Sequence, residues 1–160
     1  KGGLSGDVGI LHIDLDGNDY WIWNDINAIS PQILILEYNS VFELNPWTIP
    51  YDGNFHRMRA HYSGLFYGAS LIALHDLSIS KGYEFIGCNS AGNNAYFLRK
   101  DFISDMEIKA LKDGFVSSKF RESRDINGTL TYLRGGERLR SLRGIGLEIF
   151  NTTSKEVEKI

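Results

Sequence analysis

Asp14-Leu15-Asp16-Gly17-Asn18-Asp19 places three carboxylates within six residues. Such groups repel one another. A cation, a ligand hydroxyl or a ligand amine that neutralises them would explain the crowding. Asp14 and Asp16 are candidate catalytic carboxylates, with Asp16 able to take a proton from a hydroxyl. In the alternative, Asp16 or Asp19 simply favours the N-terminus of a following helix. Glu37 and Asn39 form a second polar group. With Asp14 or Asp16 they make an all-oxygen set, which suits Mg²⁺ or Ca²⁺ better than zinc. The metal-free alternative, in which they bind substrate or backbone, is the favoured one. His56 and His61 are candidate general bases, and His56 joins Asp14 and Asp16 in the catalytic set. His12 reads as a core histidine and His75 as structural or exposed. Of Trp21 and Trp23, one is expected in the core and the other in a pocket wall.

The elements around these residues must bring them together. Residues 8–13 are almost continuously apolar and read as a strand buried on both faces, as in a parallel sheet. Residues 20–29 carry Ile22, Ile26 and Ile29 at helical spacing, with Asn18 or Asp19 as N-cap and Pro31 as the stop. Residues 32–37 form a second apolar strand. In a parallel strand–helix–strand unit the two strands share a carboxyl end. Asp14, Asp16, Glu37 and Asn39 would then line one rim, where open α/β sheets bind ligands.

Residues 41–67 show no clear period and hold three of the eight tyrosines, which suggests an ordered lid. A helix over residues 68–80 ends at Gly82. Two strands over 83–88 and 95–99 are joined by an Asn- and Gly-rich turn. Beyond residue 104 the chain is more polar. A short helix over 105–111, an Asn127-Gly128 turn and one or two helical turns over 135–142 are expected. Arg134, Arg138, Arg140 and Arg143, interleaved with acids, read as a solvated face. The segmentation is therefore 1–104, the main α/β unit, and 105–160, an extension packed on it or on a partner.

The 160 residues, 42% hydrophobic and 23% charged, suit one globular domain. A net charge of −3 gives no general attraction to nucleic acid or anionic membrane. Cys88 is the single cysteine, so neither a disulfide framework nor a cysteine zinc site is expected. A reducing, cytoplasmic location is the expectation that follows. Residues 1–7 read as a Gly-rich lead-in without an initiator Met.

A series of motifs carries a resemblance. ILHIDLDGNDYWIW (10–23), ILILEYNS (33–40), PYDGNF (50–55), FYGASLIAL (66–74), KGYEFIGC (81–88), GNNAYFLR (92–99) and FRESRDINGTLTYLRGGERL (120–139) together resemble a microbial group of FkbM-like methyltransferase domains. The resemblance covers about the whole chain. It implies an α/β, Rossmann-like three-layer sandwich with a mostly parallel sheet, incomplete here, and a C-terminal antiparallel hairpin. The cofactor implied is S-adenosylmethionine, with Mg²⁺ as an optional helper, and the reaction is O-methyl transfer to a small molecule or sugar. In that family earlier strands carry the glycine loop, and no G-x-G-x-G loop follows a strand here. The first strand of this chain resembles the fourth of that fold. A missing N-terminal segment or a second copy would then cover an open sheet edge. The resemblance and the rim position together assign Asp14, Gly17 and Asn18 to the cofactor. They assign Asp19, Trp21, Glu37, Asn39, Tyr51 and Tyr67 to the acceptor.

Other readings use the same residues. Asp14-x-Asp16-Gly17 also resembles the nucleophile motif of haloacid-dehalogenase-type phosphatases. That family has Thr or Val where Asn18 stands, and paired Asp where Cys88-Asn89 stands. Asp-x-Asp is a metal motif of nucleotide-sugar glycosyltransferases as well. A non-catalytic interaction module is the remaining alternative.

Overall fold

The computed structural model describes residues 3–160. Lys1 and Gly2 of the lead-in lie outside the described residues. Strand β1 (Gly6–Ile13) leads to helix α1 (Asp19–Asp25), then to β2 (Ile29–Glu37). A 3-10 turn (Ser40–Phe42), β3 (Trp47–Thr48), α2 (Arg57–Ala60) and α3 (Leu71–Ser80) follow. The hairpin is β4 (Tyr83–Cys88) and β5 (Asn94–Arg99). The tail holds α4 (Leu111–Gly114), α5 (Gly136–Arg140), β6 (Glu148–Asn151) and β7 (Glu156–Lys159).

The four-stranded sheet runs β1-β2-β5-β4, and a second sheet runs β3-β6-β7. Only the β1–β2 pairing of the first sheet is parallel; β5 pairs antiparallel with both β2 and β4. The second sheet is antiparallel throughout. The expected mostly parallel Rossmann-like three-layer sandwich is therefore corrected to a small α+β fold with one mixed and one antiparallel sheet. The physical reason lies in the connections. The short turn after β4 returns the chain antiparallel, and β5 slots between β4 and β2. The tail then builds its own strands on β3.

Burial follows the same division. Leu34 and Leu36 share one face of β2 and are fully buried in a core with Tyr20 and Trp23 of α1, Leu71 and Leu74 of α3, and Phe85 and Phe97 of the hairpin. Each such side chain contributes roughly 1.5–3 kcal/mol. On the other face Ile33 and Ile35 are only half-buried, and Ile10 of β1 is 62% exposed. The expectation that residues 8–13 are buried on both faces does not hold, because β1 is an edge strand paired on one side only. Helix α1 is also shorter than expected. Ile29 opens β2, which admits Pro31 near its start, the place where a strand tolerates proline.

A second core joins the loop to the tail. Val41, Phe42, Ile49 and Phe66 pack with Leu139, Leu142 and Ile149. Residues 41–67 are thus held down at both ends, by β3 and by this core. Among the described residues no helix is long and apolar enough to cross a membrane.

Candidate acid–base site at the end of the parallel strands

β1 and β2 are in parallel register, with Ile13 opposite Leu36, so the residues after them emerge at one rim. After β1 the chain turns sharply. Asp16 takes a left-handed conformation at φ 54°, which costs energy in any residue with a Cβ and is most tolerable in Asp or Asn. Gly17 is buried against the Phe55 ring so closely that a Cβ would collide with it. The turn then feeds α1. Asn18 stands at the N-cap position without making a side-chain cap. Its amide instead donates to the Asp52 carbonyl (2.8 Å) and accepts from the Asp52 N–H (3.3 Å), tying the loop to the turn.

Asp19 is fully buried. Its carboxylate accepts from the Leu15 N–H (2.9 Å) and the Gly17 N–H (3.1 Å). Burial raises its pKa and the backbone amides lower it, with burial the stronger effect. This carboxylate closes the turn on itself.

Glu37 ends β2 and is 8% exposed, and its Oε2 has no hydrogen-bond partner. Burial pushes its pKa up to about 8, and the charges of Asp14, Asp19 and Asp16 add to the rise. Arg57 opposes it. At neutral pH this side chain is mostly a neutral acid, poised to exchange a proton with whatever reaches the rim.

Arg57, on α2, organises the other wall. It donates to Asp16 Oδ1 (3.1 Å), and its guanidinium lies 3.8 Å from the centre of the Tyr67 ring. Its Nε donates to the Gly64 carbonyl. Tyr67 is buried, and burial moves its pKa well above the ordinary phenol value; the charges of Arg57, Glu37, Asp16 and Arg138 all reach it. Asp14, Asp16, Asp19, Glu37, Arg57 and Tyr67 therefore share one electrostatic neighbourhood. Asp14 is exposed, with His12 Nε2 4.0 Å from its carboxylate. His12 is itself exposed on β1 rather than part of the core.

Other expected site residues are used elsewhere. Asn39 is buried and fully occupied. Its amide donates to the carbonyls of Leu65 (2.9 Å) and Tyr67 (3.0 Å) and its oxygen accepts from the Val41 N–H (3.0 Å). It anchors the return of the loop. Trp21 donates to the Ile49 carbonyl (2.9 Å) and packs against Phe150, with exposed Tyr51 edge-on to it at 6.4 Å. Trp23 is the core tryptophan, bonded to Ser78 Oγ at 3.2 Å. His56 is exposed at the N-cap of α2. His61 is buried, its Nδ1 2.7 Å from Ser63 Oγ, and burial lowers its pKa. Among the described residues no three His, Cys, Asp or Glu side chains are grouped to hold a metal ion. Of the expected cofactor trio, Asp14 is exposed, Gly17 packs on Phe55 and Asn18 bonds to Asp52.

Two functional candidates were not singled out from sequence. Arg57 had a usable signal: Arg57 and Arg59 are the arginines of a loop facing an acidic turn. Arg138 had none, since it sits among Arg134, Glu137, Arg140 and Arg143, which read as a solvated face. Comparison with protein-family profiles, with curated proteins and with solved structures finds no match to this chain.

Proposed function

We infer that this chain supplies the acceptor side of an S-adenosylmethionine-dependent O-methyltransferase site, with Glu37 as the proton acceptor. One observation carries the acid–base part: a carboxyl that is 92% buried, with an unpartnered oxygen, at the ligand rim of a parallel strand pair. The methyl-transfer part rests on the motif series.

The rim suits the cofactor at one end. Asp14 is exposed and acidic, and would face its ammonium or sulfonium charge. When bound, S-adenosylmethionine supplies an electrophilic methyl group. This chain's residues then do three things. Glu37, once ionised, accepts the proton of an acceptor hydroxyl. Arg57 holds Asp16 and Tyr67 in place, which fixes the wall against which the acceptor lies. The 41–67 loop is tied to the rim through Asn18, Asp52 and Asn39, which fixes its position there. A segment N-terminal to β1, or a second copy on that edge, would complete the cofactor site.

The test is calorimetric titration of S-adenosylhomocysteine into this chain, and into any longer parent that carries it. Binding by the parent, with turnover that rises with pH through about 8 and is lost in Glu37→Gln, supports the reading. A folded parent that binds no S-adenosylhomocysteine overturns it in favour of a non-catalytic binding module, for which the internal use of Gly17 and Asn18 already speaks.

A further inference from the structure

Arg138 lies on α5, in a stretch whose alternating charges predicted a solvated face. It is instead 4% exposed. The neighbouring Leu139 and nearby Leu142 pack into the second core, and this draws the arginine inward. Burying the guanidinium is costly unless something neutralises it. The protein provides little. One terminal nitrogen donates to Ser117 Oγ (2.9 Å), while Nε has no partner. Among the described residues no carboxylate lies within 4.0 Å of it. The charge of Glu43 reaches it from a distance, but Glu43 is exposed, where solvent screens it. An arginine normally keeps its head in water while burying its stem. Here the head stays inside.

Arg138 lines a cavity of about 360 Å³, together with Ser117, Glu43 and the apolar Val41, Leu44 and Phe115. That volume is in the range of small-molecule sites, which combine an apolar lining with a few fixed polar groups.

We propose that this cavity binds a small organic anion, its carboxylate or phosphate paired with the Arg138 guanidinium and its apolar body against Val41, Leu44 and Phe115. The planar fork of arginine matches either group through two parallel hydrogen bonds. Nε is enclosed by protein, so the two donors would come from the terminal nitrogens, one of which also holds Ser117. The proposal does not depend on methyl transfer.

The experiment titrates the chain with benzoate, phenyl phosphate and, as the neutral control, phenol, at constant ionic strength, with affinity read by calorimetry. At least one anion should bind about tenfold more tightly than phenol. Preference for benzoate identifies an organic acid as the ligand class, and preference for phenyl phosphate a phosphate ester. Arg138→Met keeps an unbranched apolar stem but removes the guanidinium and its charge. It should cost the anion at least about tenfold and leave phenol unchanged. Glu43→Gln, at an exposed position, should tighten anion binding about threefold by removing a repelling charge. This second variant decides the matter if Arg138→Met does not fold. Anions that bind no better than phenol, or anion affinity that is unchanged in Glu43→Gln and in folded Arg138→Met, would overturn the proposal.

Discussion

Asp19 and Glu37 are both carboxylates buried at the same end of the parallel strand pair, yet their surroundings differ in kind. Asp19 receives two backbone N–H groups from its own turn. Glu37 has an oxygen with no partner. A buried polar group that is satisfied belongs to the fold, since removing it strands the donors it served. A buried polar group left unsatisfied costs stability, and its retention points to a role outside folding. The acidic turn, the most conspicuous chemistry in the sequence, is largely of the first kind. The end of β2 is of the second.

Four experiments would break or sharpen this contrast. The largest effect is expected at Glu37. With Glu37→Gln, turnover of the methyltransferase-competent protein should fall about 10²–10⁴-fold, as for loss of a general base, while stability in urea stays level or rises. A folded variant with full turnover removes Glu37 from the chemistry. Next comes Asp19→Ala, which leaves the Leu15 and Gly17 N–H groups buried without an acceptor and should cost about 1–3 kcal/mol of unfolding free energy. If Asp19→Ala unfolds no more readily than the parent, the structural role of this carboxylate is wrong.

The third experiment is the pH dependence of stability. The unfolded chain ionises Glu37 near its ordinary value of 4.5, whereas the folded chain keeps the proton up to about 8. Within that window the folded state binds more protons, so stability should fall as pH rises, by about 1 kcal/mol per pH unit from this group. The slope should flatten in Glu37→Gln. An identical slope in both proteins would show that Glu37 titrates normally. The smallest effect is expected for Asp16→Asn. Its ion pair with Arg57 is exposed on the aspartate side, and Asn tolerates the left-handed backbone at that position. Unfolding free energy should shift by less than about 1 kcal/mol, and a larger loss would place Asp16 among the fold-bearing acids with Asp19.

Much of the local structure was legible in the sequence. The apolar runs of β1 and β2, the Gly82 stop of α3, and the Asn-rich turn of the hairpin each have a short-range cause, whereas the Ser70 cap, two residues inside the expected start of α3, was not read. Ser70 Oγ accepts from the Ala73 N–H (3.2 Å), and Gly82 takes φ 90°. These effects act within a few residues and leave a mark at fixed spacing. The gathering of Asp14, Asp16 and Glu37 at one rim was legible for the same reason, because it needs only a parallel pair and the connection between its strands.

Tertiary structure decided what those marks cannot carry. The insertion of β5 between β2 and β4, which makes the sheet mixed, depends on pairing between residues about sixty positions apart. The edge position of β1 depends on which neighbours it lacks, and no residue within a strand records that. The pairing of β6 with β3 joins residues about a hundred positions apart. Partners also sort the polar residues. Asn18 and Asn39 look like ligands in one dimension and are spent on Asp52, Leu65 and Tyr67 in three. Arg138 looks solvated and is buried by the two leucines beside it. Sequence sets which groups are available at a rim. Only long-range packing determines which of them keep a donor or acceptor free, because burial and hydrogen bonding are properties of neighbours that the chain supplies from far away.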